Sequence, residues 1–299
     1  MIRTYRDAVC LITGGGSGIG EALGRELARR GALVVLADRR LEGAEVVAAE
    51  IRADGGQAES LALDVREADA FGAVIDGVLR DHGRLDYLFN NAGIGIGGPF
   101  EEHTLDDWRY IVDVNIMGVV YGTHAAYPRM IEQGFGHIVN TASMAGQIAT
   151  PGLSAYGTTK HAVVGLTRSL RIEAARHGVR ASAFCPGVIN TRILQHGGEF
   201  GRVRGPAGVF EPEAVDTSRT MDPNHFAALA LNQVASNREI IVLPRMWVLI
   251  RWLDRLSESL SGRFNARMYE RMWAELDRRV AKANATGAAP KEPDGPPTG

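Results

Sequence analysis

The sequence predicts an α/β fold: a doubly wound parallel sheet of about seven strands with helices on both faces, followed by a C-terminal helical extension. Three observations lead to this prediction. Short apolar runs of strand length alternate with segments of helical period over residues 1–243. A glycine-rich turn joins the first apolar run to the first helical segment. After residue 243 the strand-like runs stop, and apolar residues recur at spacings of three and four.

The elements alternate along the chain as a parallel sheet requires. Strands are predicted near residues 8–12, 33–37, 59–63, 86–89, 136–141, 180–185 and 239–243. Helices are predicted near residues 18–30, 41–54, 67–82, 105–133, 155–176 and 223–236. The last of these helices follows Asp222 and carries Pro223 in its first turn, which is a typical helix start. These elements account for residues 1–243 as one domain without a second core.

Two stretches fall outside this alternation. Residues 187–222 show little periodicity and contain several glycines, and a loop of this length in a compact domain is typically a lid or a substrate loop. Residues 244–283 form the predicted helical extension, and residues 284–299 form a predicted disordered tail. The extension carries an apolar stripe that is typical of a packing face; its members are Leu249, Leu253, Leu256, Leu260, Phe264, Met268, Met272, Leu276 and Val280.

Composition narrows the function classes. Lys and Arg (33) nearly balance Asp and Glu (35), so no overall field favours nucleic acid. Cys10 and Cys185 lie in apolar runs and are expected to be buried and unpaired, which fits a reducing cytoplasm. The N-terminal segment lacks the long apolar core of a signal peptide, so a cytoplasmic protein is expected. Residues 240–253 are too short and too charged to span a bilayer, but contact of residues 244–280 with a membrane surface stays open.

The glycine-rich turn predicts a dinucleotide site of the Rossmann type. Gly14, Gly18 and Gly20 stand between the first strand and the first helix. Glycines let the main chain approach a pyrophosphate closely, and the N-terminus of the following helix offers free N–H groups and a positive dipole to it. The spacing G-x-x-x-G-x-G differs from G-x-G-x-x-G, but the physical reason for the glycines is the same.

Asp38 indicates which dinucleotide binds. It ends the second predicted strand, where its carboxylate can accept both ribose hydroxyls of NAD and repels the 2′-phosphate of NADP. Arg39 and Arg40 follow at once and could pair with that phosphate, or could simply begin the next helix. Because the glycine turn itself contains no Lys or Arg, NAD is favoured over NADP.

Six short motifs occur in a fixed order along the chain: TGGGSGIG (13–20), NNAG (90–93), Asn115 in VNIMG, Ser143 in NTASMAG, Tyr156-x-x-x-Lys160, and PGVINT (186–191). In order and spacing, this set resembles the short-chain dehydrogenase/reductase family. The resemblance covers about residues 5–243. It implies hydride transfer between an alcohol or ketone carbon and a bound nicotinamide.

Tyr156 and Lys160 share one face of the predicted helix, because they are four residues apart. Tyr156 is expected to act as the acid/base, although an ordinary tyrosine titrates near ~10. The Lys160 ammonium, together with the oxidised nicotinamide, is expected to lower the pKa of the phenol. Ser143 follows a strand at the carboxyl end of the sheet, where its hydroxyl would hold the substrate oxygen. The resemblance further implies that Lys160 binds the nicotinamide ribose and that Asn115 distorts its helix to hold a water.

The resemblance also implies a set of cofactor contacts. Asp64 could equally be a helix cap. Pro186, Gly187, Val188 and Thr191 would orient the nicotinamide. No cluster of His, Cys and carboxylates has metal-ligand spacing, so no metal is expected. Besides the glycines, Asp38, Arg39, Tyr156 and Lys160, the implied contacts are Ser17, Ile19, Asp64, Val65, Asn91, Ala92, Gly93, Pro186, Gly187, Val188 and Thr191.

Substrate and partners are less determined by the sequence. The extension, rich in Trp, Leu and Arg, could cover the substrate cleft or rest on lipid, and both options favour an apolar alcohol or ketone such as a steroid, a retinoid or a lipid. A self-packing helix or an oligomer contact is the other interpretation. The resemblance implies a homodimer or homotetramer built from helices 105–133 and 155–176. The alternative functions are an NADP-dependent carbonyl reductase, an idle cofactor-binding protein and a lipid-surface protein.

Overall fold

The computed structural model describes residues 5–195, 200–204 and 220–285. Within them the strands are, in chain order, β1 (Val9–Thr13), β2 (Leu33–Asp38), β3 (Gln57–Ala62), β4 (Tyr87–Asn90), β5 (Gly95–Gly97), β6 (Gly136–Thr141), β7 (Val179–Pro186), β8 (Gly201–Val203) and β9 (Ile240–Leu243). Seven of them form one parallel sheet in the order β3-β2-β1-β4-β6-β7-β9. The predicted doubly wound sheet of seven strands is confirmed, with every boundary within two residues of its prediction.

The strand order places the carboxyl ends of β1 and β4 next to each other. The chain runs outward from β1 to β3 and then returns across the sheet to β4. The connection that follows β1 and the connection that follows β4 lead in opposite directions along the sheet. A crevice therefore opens between them at the carboxyl ends of β1 and β4. The crevice is where the predicted site residues should gather.

The helices cover both faces of the sheet. In chain order they are α1 (Gly18–Arg29), α2 (Leu41–Ala53), α3 (Ala68–His82), α4 (Leu105–Val112), α5 (Gly118–Gln133), α6 (Ser154–Ala174), α7 (Arg192–Gln195), α8 (Pro223–Ala235), α9 (Met246–Leu256) and α10 (Glu258–Ala285). One face of the sheet packs against α1, α2 and α8, and the other against α3, α5 and α6. Alternate residues of β1 accordingly enter two separate apolar clusters, Cys10 and Ile12 on one side and Leu11 on the other. Both cysteines are buried and free.

The helix predicted over residues 105–133 is interrupted. A π-helical turn, Asp113–Met117, separates α4 from α5 and contains Asn115. The expected local distortion at Asn115 is therefore present. The predicted cap of α8 is also present, since the Asp222 carboxylate accepts hydrogen bonds from the main-chain N–H groups of Asn224 and His225.

A second, two-stranded parallel sheet was not predicted. It pairs β5 with β8, and β8 lies inside the predicted loop 187–222. Each strand has three residues, too few for a periodic pattern, and their pairing joins two distant loops. Of that loop, residues 196–199 and 205–219 lie outside the described residues.

The extension forms α9 and α10, but its apolar stripe does not pack on this chain. Leu249, Leu253, Leu256, Leu260, Phe264 and Met268 are 53–75% exposed. The interpretation as a self-packing face is therefore wrong for this part of the stripe. No helix among the described residues is both long enough and apolar enough to cross a membrane. Except for its first two residues, the predicted tail 284–299 lies outside the described residues.

Candidate active site

A cavity of about 610 Å³ opens at the carboxyl ends of β1, β4, β6 and β7. Of the predicted site residues, Gly20 and Asn115 do not line it. The others do: Gly14, Ser17, Gly18, Ile19, Asp38, Arg39, Asp64, Val65, Asn91, Ala92, Gly93, Ser143, Tyr156, Lys160, Pro186, Gly187, Val188 and Thr191. One cavity therefore joins the predicted nucleotide end to the predicted chemical end.

The glycine turn packs directly against the loop after β4. Gly14 has a φ of +66°, and a Cβ there would lie 2.9 Å from the Cα of Ala92. Gly20 lies behind the cavity wall, where a Cβ would lie 2.0 Å from the carbonyl oxygen of Gly14. Gly20 therefore lets α1 press against the turn. The Thr13 hydroxyl, which the sequence interpretation missed, accepts hydrogen bonds from the N–H groups of Asn91 (3.0 Å) and Ala92 (3.1 Å).

Asp38 is held in place by the main chain on both sides. Its Oδ2 accepts a hydrogen bond from Gly16 N at 3.0 Å, and its Oδ1 accepts one from Arg40 N at 3.0 Å. A carboxylate has about four acceptor positions, so two positions remain for a ligand. Arg40 precedes α2 and its guanidinium lies 4.9 Å from the ring centroid of Phe200.

Asp64 lines the cavity and does not cap α3. Its carboxylate accepts hydrogen bonds from the guanidinium and the main-chain N–H of Arg66, while the residue at the cap position of α3 is Glu67. The alternative interpretation of Asp64 as a helix cap is therefore wrong. The bond with Arg66 holds the pKa of the Asp64 carboxyl below its ordinary value although burial opposes this.

At the other end of the cavity, α6 presents Tyr156 and Lys160 on one face, as their spacing predicts. The Lys160 ammonium lies 5.5 Å from the ring centroid of Tyr156, and it donates a hydrogen bond to Thr141 O at 2.9 Å. Ser143 follows β6, and its Oγ accepts a hydrogen bond from Ala145 N at 3.1 Å. Tyr156, Lys160 and Ser143 all line the same cavity.

Burial dominates the electrostatics of this end. It raises the pKa of the Tyr156 phenol, which a hydrogen bond with Ser143 opposes. Burial also lowers the pKa of Lys160 to about 8. In the protein alone, the desolvation of the phenolate exceeds what its neighbours contribute, and the pKa of the phenol is raised. The expected lowering by Lys160 together with the oxidised nicotinamide stays a prediction.

Asn115 supports the cavity from behind. Its Oδ1 accepts a hydrogen bond from Ile94 N and its Nδ2 donates one to Ile94 O, both at 2.9 Å. Nδ2 also donates to the hydroxyl of Thr159 on α6 at 3.2 Å. The fully buried Asn115 thus ties the π-helical turn to the chain just before β5 and to α6. Gly93 fits beside it, since a Cβ there would lie 3.2 Å from Asn115 Oδ1 and 3.4 Å from Lys160 Nζ.

Several cavity residues were missed by the sequence interpretation. Tyr110 lies on α4, with the guanidinium of Arg202 5.0 Å from its ring centroid. Phe200 and Trp247 come from the loop and the extension, and no local pattern placed either beside the cofactor residues. Among the described residues, no three His, Cys, Asp or Glu side chains are grouped as metal ligands.

Comparison with known proteins shows the family of the chain. A model of the short chain dehydrogenase family matches residues 8–199, well over half of the chain. The chain belongs to this family. Cyclohexanol dehydrogenase of Acinetobacter sp. (strain SE19) is 39% identical to this dehydrogenase over 195 residues, which is 65% of this chain and 78% of that protein.

Solved structures extend the family match. The NAD complex of a short-chain dehydrogenase/reductase from Burkholderia phymatum has a TM-score of 0.76 and 31% identity, covering 87% of this chain and 96% of that one. A protein from Novosphingobium aromaticivorans described as a short-chain dehydrogenase has a TM-score of 0.70 and 28% identity, covering 96% and 99%. The protein is therefore an NAD(P)-dependent oxidoreductase acting on CH–OH groups.

Proposed function

We propose that this short-chain dehydrogenase oxidises an apolar secondary or primary alcohol to its carbonyl compound with NAD, and that Tyr156 takes the hydroxyl proton. The observation that carries the proposal is that Asp38 at one end and Tyr156, Lys160 and Ser143 at the other line a single cavity. A dinucleotide with a reactive ring at one terminus requires its ribose-binding and its chemical groups to share one cavity.

The residues present fit a nicotinamide dinucleotide. Asp38 would bind the adenosine ribose, the glycine turn and the start of α1 would bind the pyrophosphate, and Pro186 to Thr191 would hold the carboxamide. The packing at Gly14 supports this assignment. Ala92 occupies the position that a Cβ of Gly14 would take, so the main chain of the turn lies close to the cavity. The bound nicotinamide supplies the acceptor for the hydride that leaves the carbinol carbon.

The chain's own residues handle the proton. Ser143 would hold the alcohol oxygen by a hydrogen bond, and Tyr156 would accept the hydroxyl proton when its phenol is ionised. Because burial raises the pKa of this phenol, positive charge in the cleft must stabilise the phenolate. Lys160 contributes a fixed ammonium near the ring, and Asn115 would hold a water that links Lys160 to solvent.

The preference for NAD rests on Asp38. Its carboxylate is fixed by Gly16 N and Arg40 N, so it cannot easily withdraw from a 2′-phosphate, and repulsion of that phosphate follows. Arg39 favours the alternative, NADP, because it is exposed, lines the cavity and makes no ion pair with the described residues. We give the Asp38 carboxylate more weight than Arg39 in the choice between NAD and NADP, because the position of the carboxylate is fixed and that of an exposed arginine is not.

The apolar substrate is inferred from the cavity lining. Around the chemical end the side chains are Met144, Ile148, Leu153, Ile193, Leu194 and Val203. Such a lining desolvates a carbon skeleton and offers few partners to a sugar. The similarity to a cyclohexanol dehydrogenase supports a secondary alcohol of this kind.

The test is a screen with purified protein. Cyclohexanol, 2-octanol, a 3-hydroxysteroid, retinol and xylitol are offered with NAD or NADP, and the absorbance of the reduced cofactor is followed. We expect turnover of apolar alcohols with NAD, reduced roughly 10³-fold in Tyr156→Phe with NADH affinity unchanged. Tyr121→Phe, outside the cavity, is the control. NADH binding without turnover of any alcohol or ketone would support an idle cofactor-binding protein instead.

Two surfaces carry proposals about partners. A homodimer or homotetramer through α4, α5 and α6 is supported by Ile172, 80% exposed on α6. Peripheral contact of a cytoplasmic protein with an anionic lipid surface is supported by the exposed stripe of α9 and α10, where residues 244–280 hold eight arginines against five acidic residues.

Each surface has its own measurement. Light scattering during gel filtration should give two or four chains, and Ile172→Glu should lower that number. Flotation with phosphatidylserine vesicles should recover the protein, and Leu253→Glu/Leu260→Glu should abolish recovery. A monomer in gel filtration contradicts the oligomer. Equal recovery with neutral vesicles and with the double variant contradicts the contact with anionic lipid.

A further inference from the structure

We propose that Trp247, delivered by the C-terminal extension, closes the substrate end of the cavity and sets the size of the alcohol that the enzyme accepts. The inference rests on the proposed dehydrogenase function and names a specificity residue within it. Trp247 is the second residue of α9 and the one described residue beyond Val203 that lines the cavity.

The indole occupies the space where a side chain of residue 187 would lie. A Cβ built on Gly187 would be 2.0 Å from Nε1, 2.4 Å from Cδ1 and 2.7 Å from Cε2 of Trp247. The φ of Gly187 lies outside the left-handed region, so its backbone accepts a side chain. The indole is therefore the group that requires glycine at this position, directly beside the segment proposed to orient the nicotinamide.

The other surroundings of Trp247 belong to the substrate side. It packs against an apolar cluster that includes Met144 and Cys185 and that Ile148 also joins. Met144 directly follows the proposed substrate-binding Ser143, and both Met144 and Ile148 line the cavity. Trp247 thus stands between the carbon skeleton of a bound alcohol and the outer surface of the extension.

Trp247 lies on the side of its helix that faces the domain. Met246, Leu249, Trp252 and Leu253 are exposed, whereas Trp247 is half-buried and packs, with Val248, against the domain. The main chain fixes the start of the helix, since Gly187 N donates to Leu243 O at 2.8 Å and Trp247 N donates to Pro244 O at 3.1 Å. The strand β9 and the segment around Gly187 therefore set the position of the indole. Trp252, 60% exposed on the same helix, is a matched control.

The flat, rigid indole at the end of an apolar cavity suits a compact, ring-sized alcohol. Its removal should lengthen the cavity by most of an indole and admit a longer carbon skeleton. One methylene group more or less in the substrate changes kcat/KM by roughly 10-fold or more in an apolar pocket. The expected effect is a change of substrate preference, because Trp247 does not touch the proton that Tyr156 handles.

The experiment compares kcat and KM for cyclohexanol and for 2-decanol, with NAD, in the wild type, Trp247→Ala and Trp252→Ala. We expect Trp247→Ala to raise the ratio of kcat/KM for 2-decanol over cyclohexanol at least about tenfold, mostly through KM, and Trp252→Ala to leave it unchanged. Equal losses for both alcohols in Trp247→Ala would show that the indole merely anchors the helix and would overturn the inference. If the wild type oxidises no alcohol, the proposed function fails instead.

A second pair of variants tests the contact through cofactor binding alone. Gly187→Ala should weaken NADH binding at least about tenfold, because the new methyl group collides with the indole, and Trp247→Ala in the same chain should restore it. Circular dichroism checks that each variant is folded. If Trp247→Ala does not fold, Trp247→Leu replaces it in the comparison. Tight NADH binding by Gly187→Ala alone, or no rescue in the double variant, would place the indole elsewhere and overturn the inference.

Discussion

Lys160 donates a hydrogen bond from Nζ to the carbonyl oxygen of Thr141 at 2.9 Å, and its ammonium lies 5.5 Å from the ring centroid of Tyr156. The carbonyl at the end of β6 thus holds the ammonium at the floor of the cavity, where the side chain is only 3% exposed. The same burial that positions the charge makes it costly, and the pKa of Lys160 falls from 10.5 to about 8.

Cofactor affinity should therefore depend on pH through Lys160. The ammonium is present below about pH 8 and lost above it, so NADH binding should weaken by up to about tenfold for each pH unit above 8. Lys160→Met should bind NADH weakly and without this dependence. Fluorescence titration of NADH between pH 6.5 and 9.5, with circular dichroism at each pH, measures both. A wild-type affinity that stays constant up to pH 9.5 contradicts the role of this ammonium.

Asp38→Ala should shift the preference from NAD towards NADP. The substitution removes the negative charge and leaves the N–H groups of Gly16 and Arg40, with Arg39 nearby, for a 2′-phosphate. We expect the ratio of kcat/KM for NADP over NAD to rise at least tenfold, or about 1.4 kcal/mol. Asp64→Ala, which removes a carboxylate elsewhere in the cavity, should leave the ratio within about threefold. A wild type that already prefers NADP is the contrary result.

The sequence predicts the sheet well because most strands are short runs that are mainly apolar and lie between helical segments. The first strand, Val9–Thr13, is buried throughout, and its neighbours have the same pattern. The face shared by Tyr156 and Lys160 also follows from local geometry, since a helix fixes residues four apart. These features depend on residues close together in the chain.

The features that were missed depend on distant contacts. The pairing of Gly95–Gly97 with Gly201–Val203 joins two loops by three residues each, and the indole of Trp247 meets Gly187 across the sequence. A periodic apolar pattern predicts that one side of a helix is apolar, but it does not predict what covers that side. The exposed stripe of α9 and α10 therefore has the same periodicity as a buried face. The pKa of Tyr156 depends on burial, which spacing cannot supply.

Asp107→Asn should loosen the small sheet over the cavity. The buried Asp107 carboxylate accepts hydrogen bonds from Arg202 on β8 (2.7 Å) and from Arg204 (2.8 and 2.9 Å), and it completes the cap of α4 with Thr104. Although burial alone would raise it, these bonds hold the pKa of the carboxyl far below its ordinary value. We expect a loss of about 2 kcal/mol in the free energy of unfolding and a severalfold higher KM for the alcohol. Urea denaturation and kinetics measure these.

The neighbouring residue provides the control for Asp107. Asp106→Asn removes a carboxylate that pairs with Arg109 at the exposed surface, so it should change neither stability nor KM. Equal effects of the two substitutions would mean that the helix dipole of α4, and not the bonds to β8, accounts for the loss.

The imidazole of His137 should make the fold sensitive to acid. Ser182 donates its hydroxyl proton to Arg238 O, so the 2.8 Å contact with His137 must carry a proton from Nε2 of the histidine. The unprotonated Nδ1 is then buried and has no hydrogen-bond partner in the part of the chain that the structure describes. Burial, with the charges of Arg180 and Arg171, lowers the pKa of His137 to about 3.

Because the unfolded chain binds this proton near pH 6.5 and the folded chain only near pH 3, the free energy of unfolding should fall as the pH is lowered between these values, by up to about 1.4 kcal/mol per pH unit. His137→Gln keeps a donor for Ser182 and cannot titrate, so its stability should fall less steeply. His124→Gln, at the exposed surface, should retain the wild-type slope. Urea unfolding at pH 7, 6, 5 and 4 compares the three slopes, and parallel lines for wild type and His137→Gln would assign the acid sensitivity to other groups.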